Sequence, residues 1–348
     1  MSEIQIAGRK IGSAHPPYVI AELSANHNGR IEAAFEVIEA AKVAGADAVK
    51  IQTYTPATRP SNHDGPGFRI QGGLWDGMLL HELYGRAQTP WEWHERLFAH
   101  AQEVGITLFS TPFDDTAVDL LVSLGAPAMK VASFEAMDTG LLRKIARTGL
   151  PSIISTGMVG LGEIEDALSV FSQEGAPTPV LLHCVSEYPA QAASANLRTI
   201  PHMREGFGAI VGLSDHTLSS AVAVAAVAHG AAVIEKHVTL RRSDGGPDAA
   251  FSIEPHELAE LVKQLRDAWD AAGEVRYNAD AKYRGNAVFR RSLYVVEDVL
   301  EGEELTHKNV RSIRPGFGLP PKYIGEVLGR RAVRNLRRGE PLVWSMIG

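Results

Sequence analysis

Basic and hydroxyl side chains follow several short hydrophobic segments in the first 240 residues of the chain. Lys50 and Lys130 come at the ends of two such segments, and Ser133, Ser155 and Ser214 lie at or just beyond the ends of others. An ammonium group attracts phosphate or carboxylate as a point charge, and serine hydroxyls donate to the remaining oxygens. If these ends converge, the residues predict a site for a small, buried, doubly anionic ligand. Considered one at a time, either lysine could instead form a salt bridge with a purely structural role.

Two histidines offer a second kind of chemistry. His216 and His237 end consecutive hydrophobic segments, so neighbouring strands would bring their imidazoles close enough to share a divalent ion. With water and oxygen ligands completing the shell, Mn²⁺ or Mg²⁺ is favoured over zinc, and two hydrogen-bonded histidines without metal are the alternative. Cys184 is the single cysteine, which excludes an internal disulfide, and we interpret it as a buried packing thiol.

Strand-like and helix-like patterns alternate along the part of the chain that must position these residues. Eight short apolar runs are typical of parallel strands buried on both faces: 18–22, 48–53, 107–110, 128–131, 152–155, 180–183, 209–213 and 232–236. Helical stripes lie between them, such as the one from Ile31 to Ala41 that ends before Gly45. Eight strand–helix units in about 250 residues predict a (β/α)8 TIM barrel. An open doubly wound sheet is the alternative, but the first run lacks the glycine-rich phosphate turn of that fold.

The chain divides into three predicted parts. Residues 1–273 are predicted to form the catalytic barrel, with Ile4–Ile6 and Arg9–Ile11 as an N-terminal hairpin. Residues 274–290 are predicted to be a linker. Residues 291–348 are predicted to form a small β domain with short strands at 292–296, 310–313, 332–333 and 342–344. Turns are predicted at Gly302 and Gly339. The segment 55–90 is rich in glycine and proline, and a loop of that length after the second barrel strand indicates a functional role.

Composition excludes several classes of protein. The 348 residues carry a net charge of −7, yet residues 281–348 hold 13 lysines and arginines against 7 acidic residues. A uniformly basic nucleic-acid binder is therefore disfavoured. A basic tail on an acidic body suggests docking on its own or a neighbouring body, or capture of an anion. No apolar run approaches the ~20 residues that span a bilayer, and no secretory signal is apparent, so a cytoplasmic location is expected.

The strand-end motifs together resemble the sialic-acid (nonulosonate) synthase family. The motifs are AELSANHNG at 21–29, KIQT at 50–53, STPF at 110–113, KVASFE at 130–135, STGM at 155–158, GLSDH at 212–216 and IEKH at 234–237. The tail, with RPGFG at 314–318, is similar to that family's antifreeze-like (SAF) β-clip domain. The resemblance covers nearly the whole chain.

That resemblance implies an activity and roles for individual residues. The family condenses phosphoenolpyruvate with an open-chain acetamido sugar, giving a nine-carbon 2-keto acid and phosphate. It implies Glu22 as general base or acid, or as a group that orients a sugar hydroxyl. It further implies a divalent metal, Mn²⁺ or Mg²⁺, on His216 and His237. Phosphoenolpyruvate would contact Lys50, Thr111, Lys130, Ser133, Ser155 and Ser214, and the sugar would contact Glu135, Ser186, Tyr188, Asp248 and Arg314. Arg314 would act from the partner subunit of a homodimer, whose SAF domain covers the barrel mouth.

The branch of the family is indicated by further stretches. IQTYTP at 51–56, GGLWD at 72–76, TPWEWH at 89–94 and the run 311–319 resemble the pseudaminic acid branch, whose sugar is 2,4-diacetamido-2,4,6-trideoxy-L-altrose. Val185 replaces a threonine often found in the family, and the loop 244–248 is closer to the N-acetylneuraminate branch, so N-acetylneuraminate and legionaminate synthesis are alternatives. A Schiff-base pyruvate aldolase using Lys130 or Lys50 and a non-catalytic sugar- or ice-binding protein are alternatives of other classes.

Overall fold

The computed structural model describes residues 3–59, 63–65, 67–275, 277, 285–286 and 288–348. The chain forms two compact units, residues 1–273 and 274–348. Of the predicted linker, residues 276, 278–284 and 287 lie outside the described residues. Among the described residues, no helix combines the length and the apolar character needed to cross a membrane. The cytoplasmic location stays a prediction.

The first unit is a closed barrel of eight parallel strands, which confirms the predicted fold class. A hairpin of β1 (Ile4–Ile6) and β2 (Arg9–Ile11) precedes it, paired antiparallel. The barrel strands are β3 (Tyr18–Glu22), β4 (Ala48–Thr53), β5 (Thr107–Pro112), β6 (Met129–Val131), β7 (Ser152–Ser155), β8 (Val180–Cys184), β9 (Val211–Asp215) and β10 (Val233–His237). β10 pairs with β3 and closes the ring.

Nine helices occur in the described part of this unit. They are α1 (Ile31–Ala44), α2 (Leu80–Ala87), α3 (His94–Val104), α4 (Asp115–Ser123), α5 (Thr139–Ala146), α6 (Leu161–Gln173), α7 (Thr199–Phe207), α8 (Ser220–Ala228) and α9 (Pro255–Ala272). The predicted stripe of α1 is buried at Ile31, Ala34, Ile38 and Ala41, and α1 ends at Gly45 in the left-handed region, where a residue without Cβ is favoured. Apolar faces of this kind pack around the barrel and form one contiguous core.

The described part of the segment between β4 and α3 contains more secondary structure than the loop predicted at 55–90. Arg69 and Leu79 form an antiparallel bridge, and α2 follows immediately. The amphipathic character of α2 is confined to eight residues after a glycine-rich stretch, so the sequence pattern is too short to predict it.

The second unit contains β11 (Ser292–Val295) paired antiparallel with β12 (Val310–Ile313), followed by the short α10 (Ile324–Val327). The turns predicted at Gly302 and Gly339 are present, both with positive φ. The strands predicted at 332–333 and 342–344 are wrong: Ala332 forms a single bridge to Ile347, and residues 344–346 form a 3₁₀ turn. Outside the β11–β12 pair, frequent turns interrupt the chain, so these segments form isolated β-bridges rather than longer strand pairs. Its own small core includes Leu293, Leu305 and Leu342.

Candidate active site

A cavity of about 390 Å³ lies among the carboxyl ends of the barrel strands. It is lined by ten of the predicted site residues: Glu22, Lys50, Lys130, Ser133, Ser155, Tyr188, Ser214, His216, His237 and Asp248. Two larger depressions, of about 1000 and 640 Å³, lie elsewhere on the barrel, and neither is lined by Lys50, Lys130 or the two histidines. The two lysines and the two histidines therefore converge in the smaller cavity.

Strand register explains this convergence. Glu22 on β3 pairs with Lys50 on β4 on one side and with His237 on β10 on the other. Residues directly opposite each other in a sheet point to the same face, so these three side chains form a row across three strands. Glu235 lies two residues before His237 and therefore shares its face, opposite Ser214.

The two lysines are held by carboxylates and hydroxyls. Lys50 Nζ lies 2.9 Å from Glu22 Oε2 and 3.4 Å from Glu235 Oε1, and it donates to Thr111 Oγ1 at 3.2 Å. Lys130 Nζ donates to Ser155 Oγ at 2.6 Å and lies 3.9 Å from Glu235 Oε1. Thr111 contacts Lys50 but is not itself a lining residue of the cavity.

Burial and these neighbours set the protonation of the four groups. Burial raises the pKa of Glu22 above its ordinary value, and the Glu235 carboxylate adds to the rise against the opposing charge of Lys50. Burial would also raise the pKa of Glu235, but Lys130 and Lys50 outweigh it and lower that pKa. Glu22 is therefore the carboxyl that takes a proton more readily. Burial lowers the pKa of Lys130 to about 8, whereas for Lys50 the carboxylates of Glu22 and Glu235 overcome burial and raise the pKa.

The two histidines lie side by side, with ring centroids 5.4 Å apart. His216 Nδ1 lies 2.9 Å from the Val185 carbonyl, to which it would donate, leaving Nε2 as a lone-pair donor. His237 Nδ1 is buried without a hydrogen-bond partner in the described part of the chain, and Asp248 Oδ2 is 3.9 Å away. Burial and the neighbouring His216 lower the pKa of His237, which keeps this imidazole neutral.

This donor set fits a divalent ion. Two imidazole nitrogens, one of which is buried without a hydrogen-bond partner among the described residues, leave positions for water or substrate oxygens, as Mn²⁺ and Mg²⁺ require. Within the described ranges, no group of three or more His, Cys, Asp or Glu side chains is arranged to hold a metal. The histidine pair could supply two side-chain ligands, and the Asp248 carboxylate lies 3.9 Å from His237 Nδ1.

Aromatic and polar groups form the other side of the cavity. The Tyr188 ring lies 4.4 Å from that of His216, and Phe251 lies 4.9 Å from His237. Asp248 Oδ2 accepts from Ser24 Oγ at 2.5 Å, and Ser24 also accepts from Gln52. This side offers stacking surfaces and several hydrogen-bond partners.

Four predicted site residues do not line this cavity: Thr111, described above, and Glu135, Ser186 and Arg314. Glu135 lies behind it, 3.8 Å from the Arg59 guanidinium, and burial raises its pKa. Ser186 lines the neighbouring large depression, with its hydroxyl 3.8 Å from the buried Cys184 thiol. Arg314 is an exposed residue of the second unit.

The sequence patterns assign no role to several residues that line the cavity. Glu235 was recognisable from its period-two spacing to His237, and Gln52 from the same spacing to Lys50. Arg59, Trp75 and Phe251 come from loops, where no periodicity reveals which way a side chain points.

The chain matches known proteins over most of its length. A model of the NeuB family matches residues 37–277, and an SAF domain matches residues 290–348. The chain is 44% identical over 325 residues to the pseudaminic acid synthase of Campylobacter jejuni serotype O:2, covering 93% of this chain and 95% of that protein. It is 42% identical over 328 residues to the pseudaminic acid synthase of Helicobacter pylori, covering 94% and 96%.

A solved structure is similar over most of the chain. The N-acetylneuraminic acid (sialic acid) synthetase of Leptospira borgpetersenii superposes with a TM-score of 0.74 at 32% identity, covering 83% of this chain and 96% of that one. The chain therefore belongs to the NeuB family, the sialic-acid synthase family that its strand-end motifs predict, and carries an SAF domain at its C-terminus.

Proposed function

We propose that the protein is a pseudaminic acid synthase. It condenses phosphoenolpyruvate with 2,4-diacetamido-2,4,6-trideoxy-L-altrose, releasing a nine-carbon 2-keto sugar acid and phosphate. The observation that carries the proposal is one cavity containing two buried lysines and a histidine pair in a chain 44% identical to the Campylobacter jejuni pseudaminic acid synthase. The lower identity of 32% to the Leptospira N-acetylneuraminic acid enzyme makes that sugar the less favoured alternative.

Phosphoenolpyruvate would bind on the lysine side of the cavity. Lys50 and Lys130 supply positive charge, and the hydroxyls of Ser133, Ser155 and Ser214 lie on the same wall, with Thr111 behind Lys50. Glu22 and Glu235 hold the two ammonium groups in place when no anion is bound. Such a preformed site loses little conformational entropy when the ligand enters.

A divalent metal, Mn²⁺ or Mg²⁺, would be held by His216 and His237. When bound, such an ion polarises the aldehyde of the sugar and stabilises negative charge on its oxygen. Tyr188 and Phe251 pack on the two imidazoles and restrict their orientation.

The bonds made and broken fit the groups in the cavity. C3 of phosphoenolpyruvate forms a bond to the aldehyde carbon, water adds at C2, and the tetrahedral intermediate expels phosphate by breaking the C2–O bond. These steps transfer protons to the sugar oxygen and away from the water. Glu22, with its raised pKa, is suited to accept or donate one of these protons, or to orient a sugar hydroxyl.

The sugar would occupy the aromatic side of the cavity. Tyr188 and Asp248 line it, and we include Glu135 and Ser186 among the sugar contacts on the strength of the family resemblance. By the same resemblance we propose a homodimer in which the SAF domain covers the barrel of the partner. Arg314 would then donate to an acetamido carbonyl, a task that suits the rigid fork of a guanidinium.

A substrate panel tests this proposal. Enzyme, Mn²⁺, phosphoenolpyruvate and the altrose derivative should release phosphate, and a chelator should abolish release until Mn²⁺ is restored. Release only with N-acetylmannosamine or with the legionaminate precursor would overturn the sugar assignment and keep the chemistry. Release with none of the three sugars would overturn the proposal.

One observation favours a second candidate, a Schiff-base aldolase acting on pyruvate. The lowered pKa of Lys130, about 8, is a property of amine nucleophiles. Lys130 Nζ nevertheless donates to Ser155 Oγ and to the Val131 carbonyl, which favours the ammonium form. Borohydride treatment with pyruvate should leave the protein mass unchanged, and a covalent adduct on Lys130 would favour the aldolase.

A further inference from the structure

The segment between β4 and α2 carries a hairpin whose tip reaches the cavity. Ile70 N donates to the Met78 carbonyl and Gly77 N to the Ile70 carbonyl, both at 2.9 Å, and Leu80 N donates to the Phe68 carbonyl. Gly72, Gly73 and Gly77 at the turn all have positive φ, and Gly72 N donates to Asp76 Oδ1 at 2.6 Å. The turn is therefore a hydrogen-bonded structure that fixes the direction of Trp75.

Trp75 is also held from across the cavity. Its indole Nε1 donates to the Pro247 carbonyl at 3.1 Å, 172 residues away in the sequence. Its ring lies 5.8 Å from Tyr188 and 6.4 Å from Phe251, measured between centroids. These partners include Tyr188 and the neighbour of Asp248, both on the sugar side of the cavity. Trp75 therefore lies with the sugar contacts rather than with the lysines.

Most of the side chains that the segment carrying Trp75 places on the cavity wall are apolar. Ile70, Leu80, Leu83 and Ala87 from the same segment line the cavity with it. A fully hydroxylated sugar would leave hydroxyl groups without partners against such walls, which is costly. A methyl group in place of a hydroxymethyl group, or an acetamido methyl, is stabilised there by burial.

We infer that Trp75 is a specificity-determining residue whose hairpin presses an apolar wall against the unreactive end of the sugar, C4 to C6, and so selects a 6-deoxy, N-acetylated substrate over its hydroxylated analogues. This inference rests on the proposed function and extends it from the reaction to the choice of sugar. The reacting aldehyde, C1, lies at the opposite end of the open chain. A wall that contacts only C4 to C6 changes sugar discrimination without altering phosphoenolpyruvate binding.

The test compares two sugars that differ by one hydroxyl. They are the proposed substrate and 2,4-diacetamido-2,4-dideoxy-L-altrose, which carries a hydroxyl at C6. An apolar pocket discriminates against an added hydroxyl by up to about 100-fold. Trp75→Ala should lower kcat/KM for the 6-deoxy sugar by about 30-fold and that for the 6-hydroxy sugar by less than about threefold, so discrimination falls about tenfold. The KM for phosphoenolpyruvate should stay within about twofold.

Two further variants complete the test. Trp75→Phe keeps an aromatic wall and loses the hydrogen bond to Pro247, so it should show a smaller loss in the same direction. Leu74→Ala is the matched control, because Leu74 is the adjacent turn residue, is 47% exposed and does not line the cavity. It should behave as the unmodified enzyme.

Several results would overturn the inference. They are equal losses on both sugars, a parallel rise in the KM for phosphoenolpyruvate, or unchanged discrimination in both Trp75 variants. If Trp75→Ala is misfolded and no longer binds phosphoenolpyruvate, the ratio of kcat/KM for the two sugars in Trp75→Phe decides whether the inference holds. Failure of the proposed function is seen separately, because the unmodified enzyme would then release no phosphate with the 6-deoxy sugar.

Discussion

Four buried charges, Glu22, Glu235, Lys50 and Lys130, balance one another when no ligand is bound. A dianionic ligand entering this cluster adds negative charge close to two carboxylates. It would therefore favour the charged form of Lys130 and the protonated form of Glu22. The raised pKa of Glu22 and the lowered pKa of Lys130 leave both groups able to take up a proton in response. At the scale of single residues, binding of an anion in this cavity would thus be coupled to the uptake of protons.

The first prediction concerns Lys130. Its pKa of about 8 means that the ammonium form is present below that pH and is lost as the pH rises through it. Because the neutral amine does not attract phosphate, kcat/KM for phosphoenolpyruvate should fall about tenfold per pH unit above this value. Lys130→Arg stays charged, so its profile should lack this decline although its overall rate is lower.

Profiles of kcat/KM recorded between about pH 6 and about pH 10 provide the check. Lys42→Arg, on the exposed face of α1, is the control and should keep the decline of the unmodified enzyme. An identical decline in Lys130→Arg would assign the titration to another group.

The second prediction concerns His237, which contributes an imidazole nitrogen without a hydrogen-bond partner in the described part of the chain. His237→Ala should lower turnover at limiting Mn²⁺ by at least about 100-fold, because one of two ligands is lost. Bound metal after dialysis should fall with it, while the circular dichroism spectrum is retained. His229→Ala, at an exposed helix end, is the matched control. Unchanged activity and metal content would remove His237 from the metal site.

At the scale of elements, the sequence predicted the barrel strands better than the loops that cover them. Strands buried on both faces are continuous apolar runs, and their polar ends mark the catalytic face, which is why Lys50 and His237 were assigned from the sequence. Strand register then fixes their side chains in one row. Trp75 and Pro247 meet across 172 residues through a loop hydrogen bond, and no local pattern encodes such a contact.

The third prediction concerns the base of the segment that carries the Trp75 hairpin. The Arg59 guanidinium carbon lies 3.8 Å from the Phe113 ring centroid, 4.1 Å from Tyr84 and 4.9 Å from Tyr54. Cation–π contacts of a largely desolvated guanidinium stabilise by about 1–2 kcal/mol. Arg59→Ala should therefore loosen α2, which contains Tyr84, and raise amide hydrogen exchange there about 5- to 30-fold without changing exchange in the barrel strands.

Arg86→Ala provides the matched control, because Arg86 is an exposed arginine in the last turn of the same helix. Exchange in α2 that is equally fast in both variants, or unchanged in Arg59→Ala, would show that the aromatic contacts do not hold the segment.

At the scale of the whole molecule, charge is divided between the two parts of the chain. Residues 281–348 are basic, with 13 lysines and arginines against 7 acidic residues, whereas the whole chain has a net charge of −7. Opposite charges favour association of the basic part with an acidic surface, in the same chain or in another. The homodimer that we propose assigns that surface to the partner barrel and brings Arg314 to the partner's sugar.

The fourth prediction uses this arrangement. Glu22→Gln and Arg314→Ala should each be poorly active as homodimers, because each site lacks one contributing residue. In a mixed dimer whose SAF domains act in trans, the Arg314→Ala barrel keeps Glu22 and receives an intact Arg314 from its partner. Co-expressing equal amounts of the two chains should therefore restore about a quarter of the unmodified activity, since about half of the dimers are mixed and each has one intact site.

The control for this experiment is mixing after purification under conditions in which subunits do not exchange, which should restore nothing. If Arg314 acts on its own barrel, every site in a mixed dimer still carries one defect and co-expression yields no recovery. Kinetics of Arg314→Ala alone then separate two explanations. A rise in the KM of the sugar that exceeds any rise for phosphoenolpyruvate keeps Arg314 as a sugar contact within one chain, and equal rises remove it from sugar recognition.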